Sequence, residues 1–303
     1  MRQVLCVGEC LLELTHQDAN TLRLDFAGDT YNTAVYLRRV ATELTLQVGV
    51  GYLTGLGADD YSQAMRAAWR TESIVDHSLT VPERIPGIYT VRTSPAGERN
   101  FSYWRDQSAA RHLFAGTEWC EHVQGDVVHL SGITLQLMSA QARQALIARL
   151  RDLRTDGTRV SLDTNYRAAG WRSHRDAAKA ITELCSVADV VFTSREDEQL
   201  LAGAQTPQDT LGRLAEIGVQ EAIVRDGAGG AYLDRADGVL HLPAHHVERV
   251  LDTTAAGDSF TGAYLAARLA GHAPEDALTL ATTVAATVIQ YPGAITPRGV
   301  RLT

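Results

Sequence analysis

The spacing of apolar residues changes character along the chain, and that change predicts its organisation. Residues 3–8 begin with a short apolar run, Val4-Leu-Cys-Val7, that ends at Gly8, the pattern of a buried first strand. Residues 11–26 then alternate, with Leu11, Leu12, Leu14, Leu22, Leu24 and Phe26 set around a polar turn at Gln17-Asp-Ala-Asn20. This reads as a hairpin of a small antiparallel sheet. Ala27-Gly-Asp-Thr-Tyr-Asn32 opens a helix expected to reach about Arg39, followed by a buried strand at Val48-Gly-Val-Gly51 and a helix from Asp60 to about Trp69. Residues 87–105 alternate again. Ile88, Thr90 and Arg92 oppose Tyr89, Val91 and Thr93, and a turn at Ser94-Pro-Ala-Gly97 leads to Phe101, Tyr103 and Arg105. The hairpins, at about 10–27 and 86–106, are expected to pair into a four-stranded lid.

From Asp126 the rhythm becomes strand–helix. Strands are expected at Val127-Val-His-Leu130, Arg159-Val-Ser-Leu-Asp163, Val190-Val-Phe192, Ala222-Ile-Val224 and Gly230-Ala-Tyr-Leu233. Helical patterns fall at 139–155, 174–186, 195–203, 207–217, 257–271 and 274–290, and His245-His246 sit before a further strand. Buried runs alternating with helices predict a doubly wound, mostly parallel α/β sheet flanked by helices. With no internal repeat or low-complexity linker, residues 1–303 read as one domain carrying a small β-sheet lid.

Net charge of −8 without a Lys/Arg-rich run argues against nucleic acid or an anionic membrane as partner. A small anionic ligand fits, because a few local arginines suffice. The four cysteines, Cys6, Cys10, Cys120 and Cys185, form no C-x-x-C pair and are expected to be buried free thiols of a reducing cytoplasm. No apolar run reaches the roughly 20 residues of a membrane span. The chain starts directly on a strand pattern with no export signal. The ten histidines show no ligand spacing, which argues against a zinc-type centre.

One stretch carries most of the chemistry, Val250-Leu-Asp-Thr-Thr-Ala-Ala-Gly-Asp-Ser-Phe260. It reads as a strand end, a small-residue turn and the first turn of a helix. Small residues let backbone N–H groups approach a ligand, and a helix N-terminus favours anions. Asp258 inside that turn is then a potential proton acceptor beside bound phosphate. It could equally complement the dipole of an ordinary capped helix.

Two segments together resemble the ribokinase-like (PfkB) carbohydrate kinases. Ala27-Gly-Asp-Thr-Tyr-Asn-Thr-Ala34 is similar to that family's Gly-Gly-x-x-x-Asn-x-Ala, with Ala27 in place of the first glycine. Asp252-Thr-Thr-Ala-Ala-Gly-Asp-Ser-Phe260 is similar to its Asp-Thr-x-Gly-Ala-Gly-Asp-x-Phe. Gly55-Leu-Gly-Ala-Asp-Asp60 and Arg225-Asp-Gly-Ala-Gly-Gly230 fall between them in the right order. Within the family, further segments resemble the 2-keto-3-deoxygluconate kinases. They are Gly87-Ile-Tyr89, Gly97-Glu-Arg-Asn-Phe-Ser-Tyr-Trp-Arg105 with Ser108-Ala-Ala110, and Leu130-Ser-Gly-Ile133. Asp163-Thr-Asn-Tyr-Arg167 with Trp171 and Val288-Ile-Gln-Tyr-Pro-Gly-Ala294 complete the set.

The resemblance implies a ribokinase-like fold and ATP-dependent phosphorylation of a sugar acid, with fructose, tagatose or another keto acid as alternatives. Gly28, Asp29, Thr30, Tyr31 and Asn32 are implied at the sugar hydroxyls, and Tyr89 and Tyr103 at keto or hydroxyl oxygens. Arg105 and Arg167 are implied at the carboxylate, for which a guanidinium fork is well suited. The nucleotide is assigned to Asn165, Tyr166, Arg167, Ser194, Arg225, Asp226, Gly227, Ala228, Gly229, Gly230 and Thr282. Ser194 and Asp197 stand in the family's Asn-x-x-Glu segment. Asp258 is implied as general base, with backbone N–H groups of Ala255, Ala256 and Gly257 as the anion hole, and Ala255 is expected at negative φ. Mg²⁺ is expected with the nucleotide, a monovalent cation is possible, and the exposed lid edges suggest a homo-oligomer. A sugar-acid sensor on the same scaffold is the non-catalytic alternative.

Overall fold

The computed structural model describes residues 1–93, 99–235 and 237–303. The turn expected at 94–97 lies outside the described residues. Strands β1 (Arg2–Val7), β2 (Leu11–His16), β3 (Leu22–Ala27), β4 (Val48–Leu53), β5 (Gly55–Leu56), β6 (Val75–Asp76) and β7 (Leu79–Thr80) occupy the N-terminal quarter. They are followed by β8 (Ile88–Thr93), β9 (Arg99–Trp104), β10 (Val127–Ser131), β11 (Arg159–Asp163), β12 (Val190–Ser194), β13 (Glu221–Arg225), β14 (Ala231–Arg235) and β15 (Gly238–Leu242). The helices are α1 (Asp29–Glu43), α2 (Asp60–Thr71), α3 (Ala109–Ala115), α4 (Gly132–Gln136), α5 (Ala140–Thr155), α6 (His174–Cys185), α7 (Arg195–Ala202), α8 (Pro207–Ile217), α9 (Ala256–Leu269) and α10 (Pro274–Val288).

The main sheet runs β15-β14-β13-β12-β11-β10-β1-β4-β6. It is parallel from β6 to β13, and β14 and β15 close one edge as antiparallel strands. Buried apolar runs form these strands because helices cover both faces. On β1, Val4 and Cys6 belong to the core shared with α1, α9 and α10, whereas Leu5 and Val7 belong to the core shared with α5, α6 and α8. The two-residue side-chain period of a strand distributes them. All four cysteines are free and buried.

The lid is a separate sheet ordered β3-β2-β8-β9. Each hairpin is antiparallel as expected, but β2 and β8 join them in parallel, with Leu12 opposite Ile88 and Glu13 opposite Tyr89. Parallel pairing suits strands that enter the lid separately from the body. Three expectations change. β15 and α3 carry no strong periodic signal and appear only here. No strand follows His245-His246, both of which are exposed. Residues 250–254 are irregular rather than a strand end: Leu251 and Asp252 both donate their N–H to the Ile289 carbonyl, at 2.9 and 3.2 Å.

Two contacts set the position of α9. Gly262 lies against α1 so closely that a Cβ there would come within 2.6 Å of the Thr33 carbonyl and 2.8 Å of the Leu37 nitrogen. Near the other end, the Arg268 guanidinium forks onto the buried Glu221 carboxylate at the start of β13, at 3.1 and 2.9 Å. Gly262→Ala should therefore lower stability by about 1–3 kcal/mol in urea melts, through overpacking against backbone. Gly212→Ala, where α8 leaves the added methyl free of any atom within 4 Å, should raise it by about 0.5–1 kcal/mol. A neutral result at Gly262 would refute the close α1–α9 packing.

Candidate active site

The C-terminal ends of β1, β10, β11, β12 and β13 meet the N-termini of α1 and α9 beneath the lid, the usual ligand position of an open α/β sheet. Asp258 is the third residue of α9, and its Oδ2 accepts a hydrogen bond from Asn32 Nδ2 at 2.8 Å. Asn32 stands on α1, and Thr33 beside it donates to both the Asp29 and the Asp258 carbonyls, at 3.0 and 3.3 Å. Asp29 Oδ2 accepts from Asn165 Nδ2 at 2.9 Å, and the Asn165 N–H donates to Asp163 Oδ1 at 3.3 Å. Asp163 takes Arg225 as a fork, Nη1 to Oδ2 at 2.9 Å and Nη2 to Oδ1 at 2.7 Å. Arg225 Nη1 also donates to the Gly257 carbonyl at 2.9 Å. These bonds form a closed polar circuit from α9 through α1, β11 and β13 back to α9.

Asp29 and Asn32 are one helical turn apart and share the face of α1 that looks into the cleft. Thr30 and Tyr31 point the other way, which corrects their assignment to the sugar. Thr30 Oγ1 bonds Tyr52 at 3.1 Å, and Tyr31 packs edge-on to the Tyr52 ring in the core. Tyr166 likewise lies in the second core rather than at a nucleotide. Thr282 is buried, with its hydroxyl on the Leu278 carbonyl of its own helix at 2.9 Å. Ser194 caps α7 by accepting from the Asp197 N–H at 3.0 Å. Asp197 fixes the loop after β11 by accepting from the Tyr166 N–H at 3.1 Å.

Arg225 is not a free charge on the loop Asp226–Gly230. Asp163 engages it, and Asp163 is the site member that the sequence left without a role. Arg167 is well exposed, with Asp197 Oδ1 at 3.6 Å from its Nη1. Arg105 is mostly buried and ion-paired to Glu9 at the foot of the lid. Tyr89 and Tyr103 are direct partners across β8 and β9, with ring centroids 5.6 Å apart, and Tyr89 donates its hydroxyl to the buried Glu13. Burial raises the pKa of Tyr103, which Arg105 and then Arg167 lower and Asp29 and Glu13 raise.

Ala255 adopts φ 60° and ψ 13°, the left-handed region, against the negative φ expected of it. This conformation turns the chain into α9. Ala256 donates its N–H to the Thr253 carbonyl at 3.2 Å, so the expected three-donor hole loses that member to a turn bond. The first-turn N–H groups of Gly257 and Asp258 have no acceptor within the helix, and they carry the positive end of its dipole. Burial, and then the negative charge of Asp29, push the Asp258 carboxyl up to about 7; the Asn32 bond and Arg225 oppose this, while Asp163 adds to it. Burial likewise raises Asp29.

A family model described as pfkB family carbohydrate kinase matches residues 1–299. The chain belongs to the pfkB family. This pfkB kinase is 39% identical over 306 residues to the 2-dehydro-3-deoxygluconokinase of Escherichia coli (strain K12), spanning 98% of each chain. To the 2-dehydro-3-deoxygluconokinase of Dickeya dadantii (strain 3937) it is 36% identical, over 98% of this chain and 97% of that protein. Its fold is that of a fructokinase from Vibrio cholerae O395 solved with fructose, ADP and calcium ion, at TM-score 0.83 and 22% identity over 98% and 95% of the two chains. A PfkB protein from Polaromonas sp. JS666 superposes at TM-score 0.82 and 24% identity, over 96% of both chains. Among the described residues no helix is long and apolar enough to cross a membrane.

The raised Asp258 has a measurable consequence. The folded protein keeps a proton on this group up to about pH 7, whereas the unfolded chain releases it near the ordinary 3.8. Stability should therefore fall as pH rises through that window and stay at its lowest above it. Asp258→Asn removes the penalty. From about pH 4 to about pH 8 the variant should gain on the parent by up to about 4 kcal/mol in urea melts. Parallel pH profiles would contradict the raised pKa.

Proposed function

We propose that this pfkB kinase transfers the γ-phosphoryl group of MgATP to the terminal hydroxyl of 2-keto-3-deoxygluconate, giving the 6-phosphate. The observation that carries the chemistry is Asp258, a carboxyl of raised pKa held by Asn32 on the first turn of α9. Its ionised form takes the hydroxyl proton as the oxygen attacks phosphorus and ADP leaves in line. The N–H groups of Gly257 and Asp258 face the charge that spreads over the transferring oxygens. Substrate identity is supported by the full-length likeness to two 2-dehydro-3-deoxygluconokinases. It is also supported by two guanidinium groups suited to a carboxylate, Arg105 at the foot of the lid and Arg167 in the loop after β11. Asp29 and Asn32 hold sugar hydroxyls.

The nucleotide lies over the loop Asp226–Gly230, with Arg167 toward its phosphates. Among the described residues no group of three or more His, Cys, Asp or Glu side chains could clasp a metal ion. The Mg²⁺ is therefore part of the substrate, held chiefly by phosphates and water. Lid closure keeps water from the γ-phosphate. Leu22, Leu24 and Trp104 are exposed on the outer lid face, apolar surface that a second copy would cover in a homo-oligomer.

A coupled ADP-release assay against 2-keto-3-deoxygluconate, fructose and ribose tests the assignment, and preference for a neutral sugar would overturn it. Asp258→Asn should lower kcat by about 10²–10⁴ with little change in KM. In the parent, kcat/KM should decline below about pH 7 as Asp258 takes up its proton. A variant with near-normal kcat would remove Asp258 from the role of base.

A further inference from the structure

Glu9 lies in the two-strand crossing from β1 to β2, where the chain leaves the body for the lid. It is buried to 3% exposure, and it is a carboxylate that no part of the proposed reaction uses. One oxygen, Oε2, is ion-paired with Arg105 Nη2, and the other accepts from the Ser108 hydroxyl. Arg105 follows β9, where the lid returns to the body, and Ser108 caps α3 by accepting from the Arg111 N–H at 3.2 Å. Glu9 thus joins the first and the last of the lid's four connections at one point.

The backbone around it leaves little room to move. A Cβ on Gly87 would meet Glu9 Oε1 and the Arg105 Cβ, each at 3.0 Å. A Cβ on Gly28, which precedes Asp29, would meet the Glu9 carbonyl at 2.2 Å. The Glu9 backbone is thus held against the start of α1, and its carboxylate lies beside Gly87 and the stem of Arg105. Arg105 Nε and Nη2 and Glu9 Oε2 are all buried without a hydrogen-bond partner among the described residues, so Glu9 holds the guanidinium as an ion pair only. A guanidinium pinned by a buried counter-charge on one side keeps its N–H groups toward the other, and a planar carboxylate needs that alignment.

We infer that Glu9 is the positioning residue for sugar-acid recognition: it holds Arg105 so that the free edge of the guanidinium meets the substrate carboxylate. This rests on the reading of the substrate as a sugar acid bound at Arg105. Glu9 acts through Arg105 and touches no reacting atom. It also accounts for the burial of Arg105, because a buried arginine without a counter-charge is unfavourable and the pair is tolerated only together.

The test is a double-mutant cycle on the full chain with Glu9→Gln, Arg105→Leu and the pair, following KM for 2-keto-3-deoxygluconate, KM for ATP, kcat and Tm. Glu9→Gln should raise KM for the sugar acid roughly tenfold, leave KM for ATP unchanged and alter kcat by less than about threefold. In the Arg105→Leu background the same change should add nothing to KM. Arg105→Leu alone strands the Glu9 charge and should lower Tm by several degrees, and adding Glu9→Gln should recover most of that loss.

A merely structural Glu9 would change Tm and both KM values together, and that outcome overturns the inference. So would an unchanged or lowered KM for the acid in Glu9→Gln, or fully additive KM effects in the pair. Failure of the underlying reading looks different. The double variant would then phosphorylate the acid with the parental KM, showing that Arg105 does not hold the carboxylate. If Arg105→Leu fails to fold, Arg105→Lys keeps the charge but loses the fork, and its KM for the acid should still rise. A parental KM in that variant would overturn the inference.

Discussion

The Arg225–Asp163 pair is the contact on which the site depends. One guanidinium forks onto the end of β11, reaches the Thr193 carbonyl of β12, and holds the Gly257 carbonyl in the first turn of α9. Thr261, one turn further along α9, donates to the same Asp163 at 3.1 Å. A buried ion pair contributes little net stability, because desolvation offsets much of the attraction. What this pair supplies is location. It brings the positive end of the α9 dipole to the ends of three strands and leaves no net charge where it does so. At Asp258 Asp163 raises and Arg225 lowers the proton affinity, both less than burial and Asp29 raise it.

The parts of this architecture set by local periodicity were legible in the sequence. Alternation in residues 11–26 and 87–105 gave both hairpins, and buried runs after Asp126 gave the parallel strands. The parallel join of β2 to β8 was not legible, since pairing of distant strands leaves no local trace. In the site, spacing along α1 explains which residues of a matched segment serve it. Asp29 and Asn32 fall on one helical face, while Thr30 and Tyr31 between them fall on the core face, and adjacency in a motif did not reveal this. Tyr166 was misplaced for a related reason, because a loop residue beside Asn165 was free to turn into the core. Asp163 and Glu9 were missed as working residues because their partners, Arg225 and Arg105, lie far along the chain.

Ala255 shows how a departure from a family pattern can be self-compensating. A left-handed conformation costs an alanine about 1–2 kcal/mol relative to the ordinary helical one. Its methyl, however, packs against both the main core and the cluster under the lid formed by Leu11, Ala27, Tyr89, Val91 and Ala294. Burying one such carbon is worth about 0.8 kcal/mol. The two effects are close enough for either residue to serve the turn. The alanine adds something a glycine lacks, a contact between the turn before α9 and the base of the lid.

The contacts of β13 with α9 lead to a matter of length. Glu221 and Arg225 open and close that strand, and they grip Arg268 and Gly257 near opposite ends of the helix. The four steps along the strand span about 13 Å. The eleven steps along the helix span about 16 Å, a difference that extended arginine side chains can bridge. Strand and helix therefore act as matched rulers clamped at both ends. Inserting or deleting a single residue between the clamps in either element would break the match, rotating the first turn of α9 by about 100° in the helix or reversing the strand's faces. Length, as much as composition, is what this part of the chain has to preserve.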